Sequence, residues 1–379
     1  MAGVVQLEIS TLLRFAIAQQ VSDVHLKPGR PPMFRRSVQL DLATPKGQPV
    51  VTEQEILALL RQALSEKDFE ILEKTGSVDA GYGEHGVGRF RITAFRGLYG
   101  VQAVLRVIPA RIPTLQELNL PPAIEKIAEN RRGLVLVTGA TGQGKSTTLA
   151  ALLDLINRQW ACHIVTVEDP IEHVIEDRRA IVTQRQVGKD TRSFYDGLRE
   201  ALRQDPDVIV VGEMRDKETI ETALVAAETG HLVFSTMHTL DAKETLNRIM
   251  SAFPAEEREY AKSMLASTLV AVISQRLVQG KQGRLPAVEI MMGTGRIKDL
   301  IKKGAPPEEI IETIAQGYSQ YGMQTFDQSL MSLFKSGKIT LEEALKHCSN
   351  PSDFMLRVKG ISSESAPPLD VVGKKDERF

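Results

Sequence analysis

A glycine-rich loop stands between an apolar run and a helical pattern, and this order constrains the fold more than any other feature. The run is Leu134-Val-Leu-Val-Thr138, and the loop Gly139-Ala-Thr-Gly-Gln-Gly-Lys-Ser146 fits the spacing G-x-x-x-x-G-K-[ST]. Residues 147–156 then have the apolar spacing of a helix. A strand, a glycine loop and a helix amino terminus in this order form a cradle for phosphate groups. The pattern therefore predicts an α/β fold that holds a nucleotide at this loop.

The residue types in the loop suit this chemistry. The glycines allow backbone N–H groups to close around phosphates, and Lys145 can reach the outer phosphate oxygens. The hydroxyl of Ser146 can ligate Mg²⁺. The predicted nucleotide-binding residues are Gly139, Ala140, Thr141, Gly142, Gln143, Gly144, Lys145, Ser146 and Thr147.

The size and composition of the chain narrow its class. With 379 residues, the chain is longer than a single hydrophobic core usually supports, which favours two domains. The formal net charge of −1 gives no overall attraction to nucleic acid, so we expect no nucleic-acid partner. The two cysteines, Cys162 and Cys348, form no C-x-x-C pair, so neither a zinc site nor a disulfide framework is indicated. We expect a cytoplasmic protein, because neither a targeting segment nor a membrane-spanning apolar run is apparent.

The first part of the chain predicts a small α+β domain. Residues 7–20 have helical spacing, and Thr52-Glu-Gln-Glu55 has the pattern of a capping box. Residues 89–96 alternate between polar and apolar side chains, and residues 101–108 are mostly apolar. These patterns predict the two strands of a hairpin. Prolines 109 and 113 then indicate a linker. The predicted domains are 1–110, a linker at 111–116, an α/β domain at 117–359 and a flexible tail at 360–379.

The second domain has a repeated β-α pattern. Short apolar runs, typical of buried parallel strands, occur at 134–138, 164–167, 208–211 and 232–235. Helical segments lie between them at 147–158, 194–204 and 217–229. This alternation predicts a RecA-like α/β core. After Pro286 the pattern predicts helices, with Pro306-Pro at one helix start and a second capping box at Thr340-Leu-Glu-Glu343.

Two acidic residues follow apolar runs. In a parallel sheet they would lie at the same edge as the glycine loop. Glu213 follows the run 208–211, and we expect it to act on Mg²⁺ or its waters; a helix cap is the alternative. Glu168 follows the run 164–167, and we expect it to orient or deprotonate a water; a solvated turn is the alternative. The candidate Mg²⁺ ligands are therefore Ser146 and Glu213.

Two histidines bracket the last predicted strand, in Gly230-His-Leu-Val-Phe-Ser-Thr-Met-His-Thr239. His238 could sense a γ-phosphate, and a hydrogen-bonded structural histidine is the alternative for it. The hairpin arginines could reach a neighbouring subunit's γ-phosphate, or could line a solvated strand face. The candidate arginines are Arg89, Arg91, Arg96 and Arg106, and the candidate catalytic residues are Glu168, Glu213, Lys145 and His238.

Together these motifs resemble the type II/IV secretion ATPase superfamily, most closely the pilus retraction ATPases. Ser22-Asp-Val-His-Leu and Gly88-Arg-Phe-Arg-Ile are similar to that family's amino-terminal elements. The loop at 139–146 is similar to the family's Walker A region, and Glu168-Asp-Pro-Ile-Glu172 is similar to its Asp box. Residues Asp205–Asp216 are similar to its Walker B region, and the segment 230–239 is similar to its His box. The resemblance covers nearly all residues to about Gly360.

The resemblance implies a PAS-like domain followed by a RecA-like P-loop ATPase domain with a helical C-terminal subregion. It implies a homohexameric ring that binds ATP and Mg²⁺ and powers type IV pilus retraction and twitching motility. In this family Glu168 corresponds to the catalytic carboxylate, Glu213 to the Mg²⁺-linked one, and His231 and His238 to the box histidines. The implied partners are the pilus machinery and an inner-membrane platform protein, through which the ring associates peripherally with the membrane.

Other interpretations stay open from the sequence alone. Gly295-Arg-Ile-Lys-Asp-Leu-Ile301 keeps only part of a segment common in retraction ATPases, and Ser274-Gln-Arg-Leu277 is similar to assembly ATPases. A pilus-assembly or type II secretion ATPase is therefore the nearest alternative. A RecA-like nucleic-acid translocase is a more distant one, because the chain has no marked basic stripe.

Overall fold

A computed structural model describes residues 8–35, 49–84, 87–108, 111–281 and 283–360. The chain divides into two compact units. Unit 1 comprises Met1–Ile112 and Pro170–Val174, and unit 2 comprises Pro113–Asp169 and Ile175–Phe379. All of the predicted tail beyond Gly360 lies outside the described residues. Among the described helices, none is both long and apolar enough to cross a membrane.

Unit 1 contains an antiparallel sheet with the strand order β2-β1-β5-β4-β3. Its strands are β1 (Asp23–Leu26), β2 (Met33–Arg35), β3 (Ser77–Glu84), β4 (Gly88–Gly97) and β5 (Gly100–Ile108). Its helices are α1 (Ile9–Ala18), α2 (Glu53–Arg61) and α3 (Glu66–Thr75). The apolar faces of the helices and the sheet enclose one core, which includes Leu13, Phe34, Leu60, Phe90 and Leu105.

Two local predictions in unit 1 are confirmed. The capping box at the start of α2 has both hydrogen bonds, between Thr52 and Glu55 in each direction. Strands β4 and β5 form the predicted hairpin, in which Arg91 is opposite Arg106. Burial alternates along β4, with Phe90 and Ile92 in the core and the arginines between them on the other face.

Unit 2 is built on a sheet with the strand order β12-β11-β6-β10-β9-β7-β8. The strands from β11 to β8 in this order run parallel, and β12 is antiparallel to β11. The strands are β6 (Gly133–Thr138), β7 (His163–Glu168), β8 (Ile181–Gln186), β9 (Val208–Val211), β10 (Leu232–Met237), β11 (Leu269–Gly280) and β12 (Gly283–Met292). The four strands predicted from continuous apolar runs are confirmed, and their central residues are fully buried.

Helices cover this sheet and extend beyond it. They are α4 (Pro122–Ile127), α5 (Lys145–Gln159), α6 (Phe194–Ala201), α7 (Lys217–Glu228), α8 (Ala242–Ser251), α9 (Arg258–Thr268), α10 (Gly295–Lys303), α11 (Pro307–Gln316), α12 (Tyr318–Tyr321), α13 (Phe326–Lys335), α14 (Leu341–His347) and α15 (Pro351–Val358), with a 3₁₀ turn at Ala255–Glu257. The mixed α/β fold and the helical C-terminal subregion agree with the prediction. In that subregion Phe326, Leu330 and Phe354 pack in one core with Val278 of β11 and Ala287 of β12.

Two sequence predictions for the C-terminal part are wrong. Pro286 lies in β12 and not at the start of a helical region, because the apolar residues after it are buried beside β11. The predicted box at Thr340 has only one of its two hydrogen bonds, from the Glu343 N–H to the Thr340 hydroxyl. The Glu343 carboxylate instead accepts the backbone N–H of Gln279 at 2.6 Å, which ties α14 to β11.

Candidate functional site

The parallel sheet of unit 2 places the predicted site residues at its carboxyl edge. The glycine loop follows β6, Glu168 is the last residue of β7, and Glu213 lies just after β9. His238 directly follows β10, which is next to β6, and Glu213 follows β9, which is one strand further along the sheet. This edge is where α/β proteins bind their ligands.

The loop has a backbone that only glycine adopts without strain at three positions. The φ angles are +140° at Gly139, +79° at Gly142 and +84° at Gly144. Gly144 is also the N-cap of α5, and among the described residues no side chain caps this helix. The first N–H groups of α5 therefore remain for a ligand, and a helix amino terminus favours an anion.

Lys145 is buried under the loop that it follows. Its ammonium Nζ donates to the carbonyl oxygens of Gly139 at 2.6 Å and Ala140 at 3.1 Å. The same Nζ lies 3.5 Å from Nδ1 of His238. The lysine charge is thus held at the loop, where phosphate oxygens would replace the two carbonyl groups as its partners.

His238 joins the loop to the acidic residue after β9. Its Nδ1 lies 3.5 Å from the Thr141 hydroxyl, and its Nε2 lies 3.3 Å from a carboxylate oxygen of Glu213. The other Glu213 oxygen contacts the Arg215 guanidinium at 2.6 Å, and this hydrogen bond raises the pKa of Arg215. One chain of contacts therefore runs from the loop through the histidine to Glu213.

Hydrogen bonds from β7 and β8 hold the carboxylate of Glu168. Its Oε1 accepts the Thr166 hydroxyl at 2.6 Å and the Gln184 amide at 3.0 Å. Both partners lie on the β7–β8 side of the sheet. The side chain is half-buried at the predicted edge, and residues of β7 and β8 hold its carboxylate in a defined position.

His231 lies at the opposite end of β10 from His238. Its Nδ1 is 2.9 Å from the Ala226 carbonyl at the end of α7. The strand between the two histidines has six residues, so it spans about 20 Å. Within one chain, His231 is therefore separated from the loop, and its functional role stays a prediction.

Three of the four candidate arginines have partners within unit 1. Arg91 forms ion pairs with Asp79 and, at 3.4 Å, with Glu172. Arg89 donates to the carbonyl of Ile171 at 3.1 Å. Arg106 pairs with the buried carboxylate of Asp23 at 2.9 Å. Arg96 is exposed near the turn of the hairpin, and within the described ranges its side chain makes no hydrogen bond or ion pair.

The residues available for Mg²⁺ match its chemistry. A hydroxyl at Ser146 and a carboxylate at Glu213 are oxygen ligands, which Mg²⁺ prefers together with phosphates and water. Ser146 is exposed at the start of α5, and Glu213 lies at the same edge of the sheet. In the part of the chain that the structure describes, no group of three or more His, Cys, Asp or Glu side chains could hold a metal by itself.

The sequence interpretation missed the contribution of β11 to this site. Gln275 is buried on β11 and contacts both the loop and α5. The only signal for it was a polar segment, Ser274-Gln-Arg-Leu277, at the end of an apolar run. Its position beside the loop depends on the pairing of β11 with β6, which the sequence pattern did not indicate.

This arrangement defines an α/β protein with a phosphate-type loop and two carboxylates at the carboxyl edge of its sheet. The family model described as "Type II/IV secretion system protein" matches residues 3–346. The chain belongs to this family.

Relatives within this family are similar over most of their length. The type IV pilus retraction ATPase PilT of Pseudomonas aeruginosa is 42% identical over 360 residues, which are 92% of this chain and all of that protein. A twitching motility protein of Neisseria gonorrhoeae is 43% identical over 304 residues, 80% of this chain and 81% of that protein. The crystal structure of the pilus retraction motor PilT with bound ADP matches with a TM-score of 0.82 at 43% identity, and covers 91% of this chain and 98% of that one. The predicted resemblance to pilus retraction ATPases is confirmed.

Proposed function

We propose that this chain is an ATPase that powers the retraction of type IV pili. The observation that carries the proposal is the contact chain from Lys145 through His238 to Glu213, in a protein 42% identical to a retraction ATPase over nearly its full length. ATP turnover in such a motor is coupled to motion between its domains. Twitching motility is the cellular result.

Each site residue has a role in this proposal. The N–H groups at 139–147 bind the phosphates, and Lys145 leaves its two carbonyl partners for the outer phosphate oxygens. His238 senses the γ-phosphate and reports to Glu213 through their 3.3 Å contact. Glu168 orients or deprotonates the attacking water, because phosphoryl transfer depends on positioning and charge stabilisation.

Mg²⁺ supplies charge neutralisation at the β and γ phosphates when it is bound. The Ser146 hydroxyl and the Glu213 carboxylate would hold it, directly or through water. Glu213 would then bind Mg²⁺ beside, or in exchange for, its contacts with His238 and Arg215.

The working form in this proposal is a cytoplasmic homohexamer at the inner-membrane base of the pilus machine. An inner-membrane platform protein receives the motion of the ring. One of the four hairpin arginines reaches the γ-phosphate of a neighbouring subunit, and an arginine supplied in this way stabilises the transferring phosphoryl group. Arg91 and Arg106 would first have to leave their carboxylate partners in unit 1.

The substitution Lys145→Ala tests the site, and Lys126→Ala on the exposed face of α4 is its control. We expect the turnover of ATP to fall about a hundredfold or more in the first variant, because the charge that faces the phosphates is lost. The control should match the parent chain. Normal turnover in Lys145→Ala would overturn the assigned site.

The direction of work is tested in cells by deletion of the gene. A strain without a retraction motor should keep excess surface pili and lose twitching. A strain that becomes bald would instead assign the chain to pilus assembly. Counting surface pili and scoring twitching in the same strain separates these outcomes.

The arginine in trans is identified by mixing two inactive variants. Lys145→Ala subunits are combined with subunits in which one of the four arginines is Ala. If that arginine acts across the interface, mixed rings contain interfaces with an intact loop and an intact arginine, and turnover reappears. No recovery with any of the four variants would contradict an arginine supplied by the hairpin.

A further inference from the structure

The side chain of Gln275 on β11 connects two parts of the phosphate loop region. Its amide Nε2 donates to the backbone carbonyl of Gln143 at 2.8 Å, and its Oε1 accepts the hydroxyl of Thr148 at 2.8 Å. Gln275 is 3% exposed, and Thr148 is 1% exposed. Both polar ends of this amide are therefore satisfied by the loop and by the first turn of α5, away from solvent.

The loop and β11 approach each other too closely for side chains at two of the glycines. A Cβ at Gly139 would lie 2.4 Å from the backbone oxygen of Gln275, and a Cβ at Gly144 would lie 2.8 Å from its Nε2. At Gly142, by contrast, a Cβ would meet nothing within 4 Å. Two glycines of the motif are thus needed for contact with β11 as well as for their backbone angles.

The loop returns a hydrogen bond to the same strand. The Gln143 side chain accepts the backbone N–H of Leu277 through Oε1 at 2.5 Å. Just before Gln275, the Ser274 hydroxyl accepts a hydrogen bond from Thr138 at 2.9 Å. Residues 138, 143 and 148 are therefore all connected to a four-residue segment of β11.

These contacts fix the orientation of one peptide group in the loop. In a trans peptide the C=O of Gln143 and the N–H of Gly144 point in opposite directions. Because Gln275 holds that carbonyl, the N–H of Gly144 is directed away from β11. Backbone N–H groups of such loops donate to phosphate oxygens, so the orientation of this peptide affects how well the loop binds nucleotide.

We infer that Gln275 is a positioning residue for the nucleotide phosphates, which acts by holding the Gln143–Gly144 peptide in its binding orientation. The inference rests on the proposed nucleotide site. Gln275 itself touches no nucleotide in this scheme. Without its amide donor the peptide is free to rotate, and nucleotide binding then has to order it.

The test compares Gln275→Leu with Gln279→Leu. Gln279 lies on the same strand but is exposed, and its side-chain amide donates to the carbonyl of Gly280. We expect Gln275→Leu to raise the ADP dissociation constant, measured by calorimetry, about tenfold relative to the control. KM for ATP should rise by a similar factor while kcat changes less than about twofold, because the peptide is needed equally in ground and transition states.

A second variant keeps the inference testable if the leucine variant does not fold. Gln275→Met keeps an unbranched, uncharged side chain of similar length and removes the amide that holds Gln143, so it should also weaken ADP binding about tenfold. ADP affinity within about twofold of the Gln279→Leu control, in either variant with an unchanged urea midpoint, would overturn the inference. A loss of kcat without a change in ADP affinity would also overturn it.

The Lys145→Ala variant separates this inference from the proposed function. If Lys145→Ala binds ADP normally, the proposed site itself is wrong. If Lys145→Ala loses ADP binding while both Gln275 variants keep it, the site stands and the positioning role fails.

Discussion

Glu289 allows a quantitative prediction, because its carboxyl group is buried on β12. It is 6% exposed, and its Oε1 accepts the N–H of Ala242, the first residue of α8. Burial is the main cause that raises its pKa from 4.5 to about 7, and nearby Asp241 adds to the rise. The hydrogen bond from Ala242 and the charges of Arg276 and Lys243 act in the opposite direction. The perturbation that tests this is Glu289→Gln, which keeps an acceptor for Ala242 and cannot ionise.

The raised pKa fixes the sign of the effect on stability. Between pH 4.5 and 7 the folded chain retains the Glu289 proton, and the unfolded chain releases it. The stability that this proton provides is therefore complete below pH 4.5 and is lost as the pH rises to about 7. The difference between the two pKa values corresponds to about 3 kcal/mol, at about 1.4 kcal/mol for each pKa unit. About 2–3 kcal/mol of this lies between pH 5 and pH 8.

The assay is urea unfolding of both chains from pH 5 to pH 8 at one protein concentration. We expect the free energy of unfolding of Glu289→Gln, relative to that of the parent chain, to rise by about 2–3 kcal/mol over this range. Glu244→Gln serves as the control, since Glu244 is an exposed carboxylate that accepts the Leu240 N–H at the same helix start. A difference between Glu289→Gln and the parent that stays constant within about 0.5 kcal/mol across the range would refute the reasoning.

Further substitutions test the loop, the buried sheet of unit 2 and a helix cap in unit 1. Gly139→Ala should weaken ADP binding and lower the free energy of unfolding by about 1–3 kcal/mol, because its Cβ would meet the Gln275 carbonyl. Gly142→Ala should cost only the strain of a positive φ. Calorimetry measures the change in ADP binding, and urea unfolding measures the change in stability. Phe234→Ala in the centre of β10 should lower the free energy of unfolding by about 3–5 kcal/mol, and a loss below about 1 kcal/mol would contradict its full burial. Thr52→Ala removes the cap of α2 and should cost about 1 kcal/mol in urea, while Thr52→Ser should cost little.

The strands around the loop could be predicted because they are buried on both faces. Strands β6, β7, β9 and β10 are short continuous apolar runs, and the glycine loop and α5 follow β6 with their usual spacing. Strand β8 gave no such signal, since it is an edge strand with polar residues and an exposed Ile181. Strands β11 and β12 were missed for another reason: an apolar run does not identify its partner in the sheet.

The same difference explains what was missed at the site. The loop spacing is local, so it could be predicted from the sequence. Gln275 is 127 residues from Thr148 and 132 residues from Gln143, and it reaches them only because β11 pairs with β6. Glu343 illustrates the reverse case, in which a local capping pattern loses its second hydrogen bond to a residue 64 positions away. In both cases the contact depends on residues far apart in the chain. The amino-acid pattern of neither segment indicates which distant segment it will contact.

The two candidate catalytic carboxylates contact different side chains of unit 2: Glu213 contacts His238, and Glu168 contacts Thr166 and Gln184. Glu213 is connected through His238 to Lys145 and Thr141, so a phosphate that draws Lys145 from its carbonyl partners acts on this chain of contacts first. Glu168 accepts hydrogen bonds from Thr166 of β7 and Gln184 of β8. In the proposed mechanism, binding of nucleotide therefore changes the contacts of Glu213. Glu168 positions the attacking water, a step on which phosphoryl transfer depends.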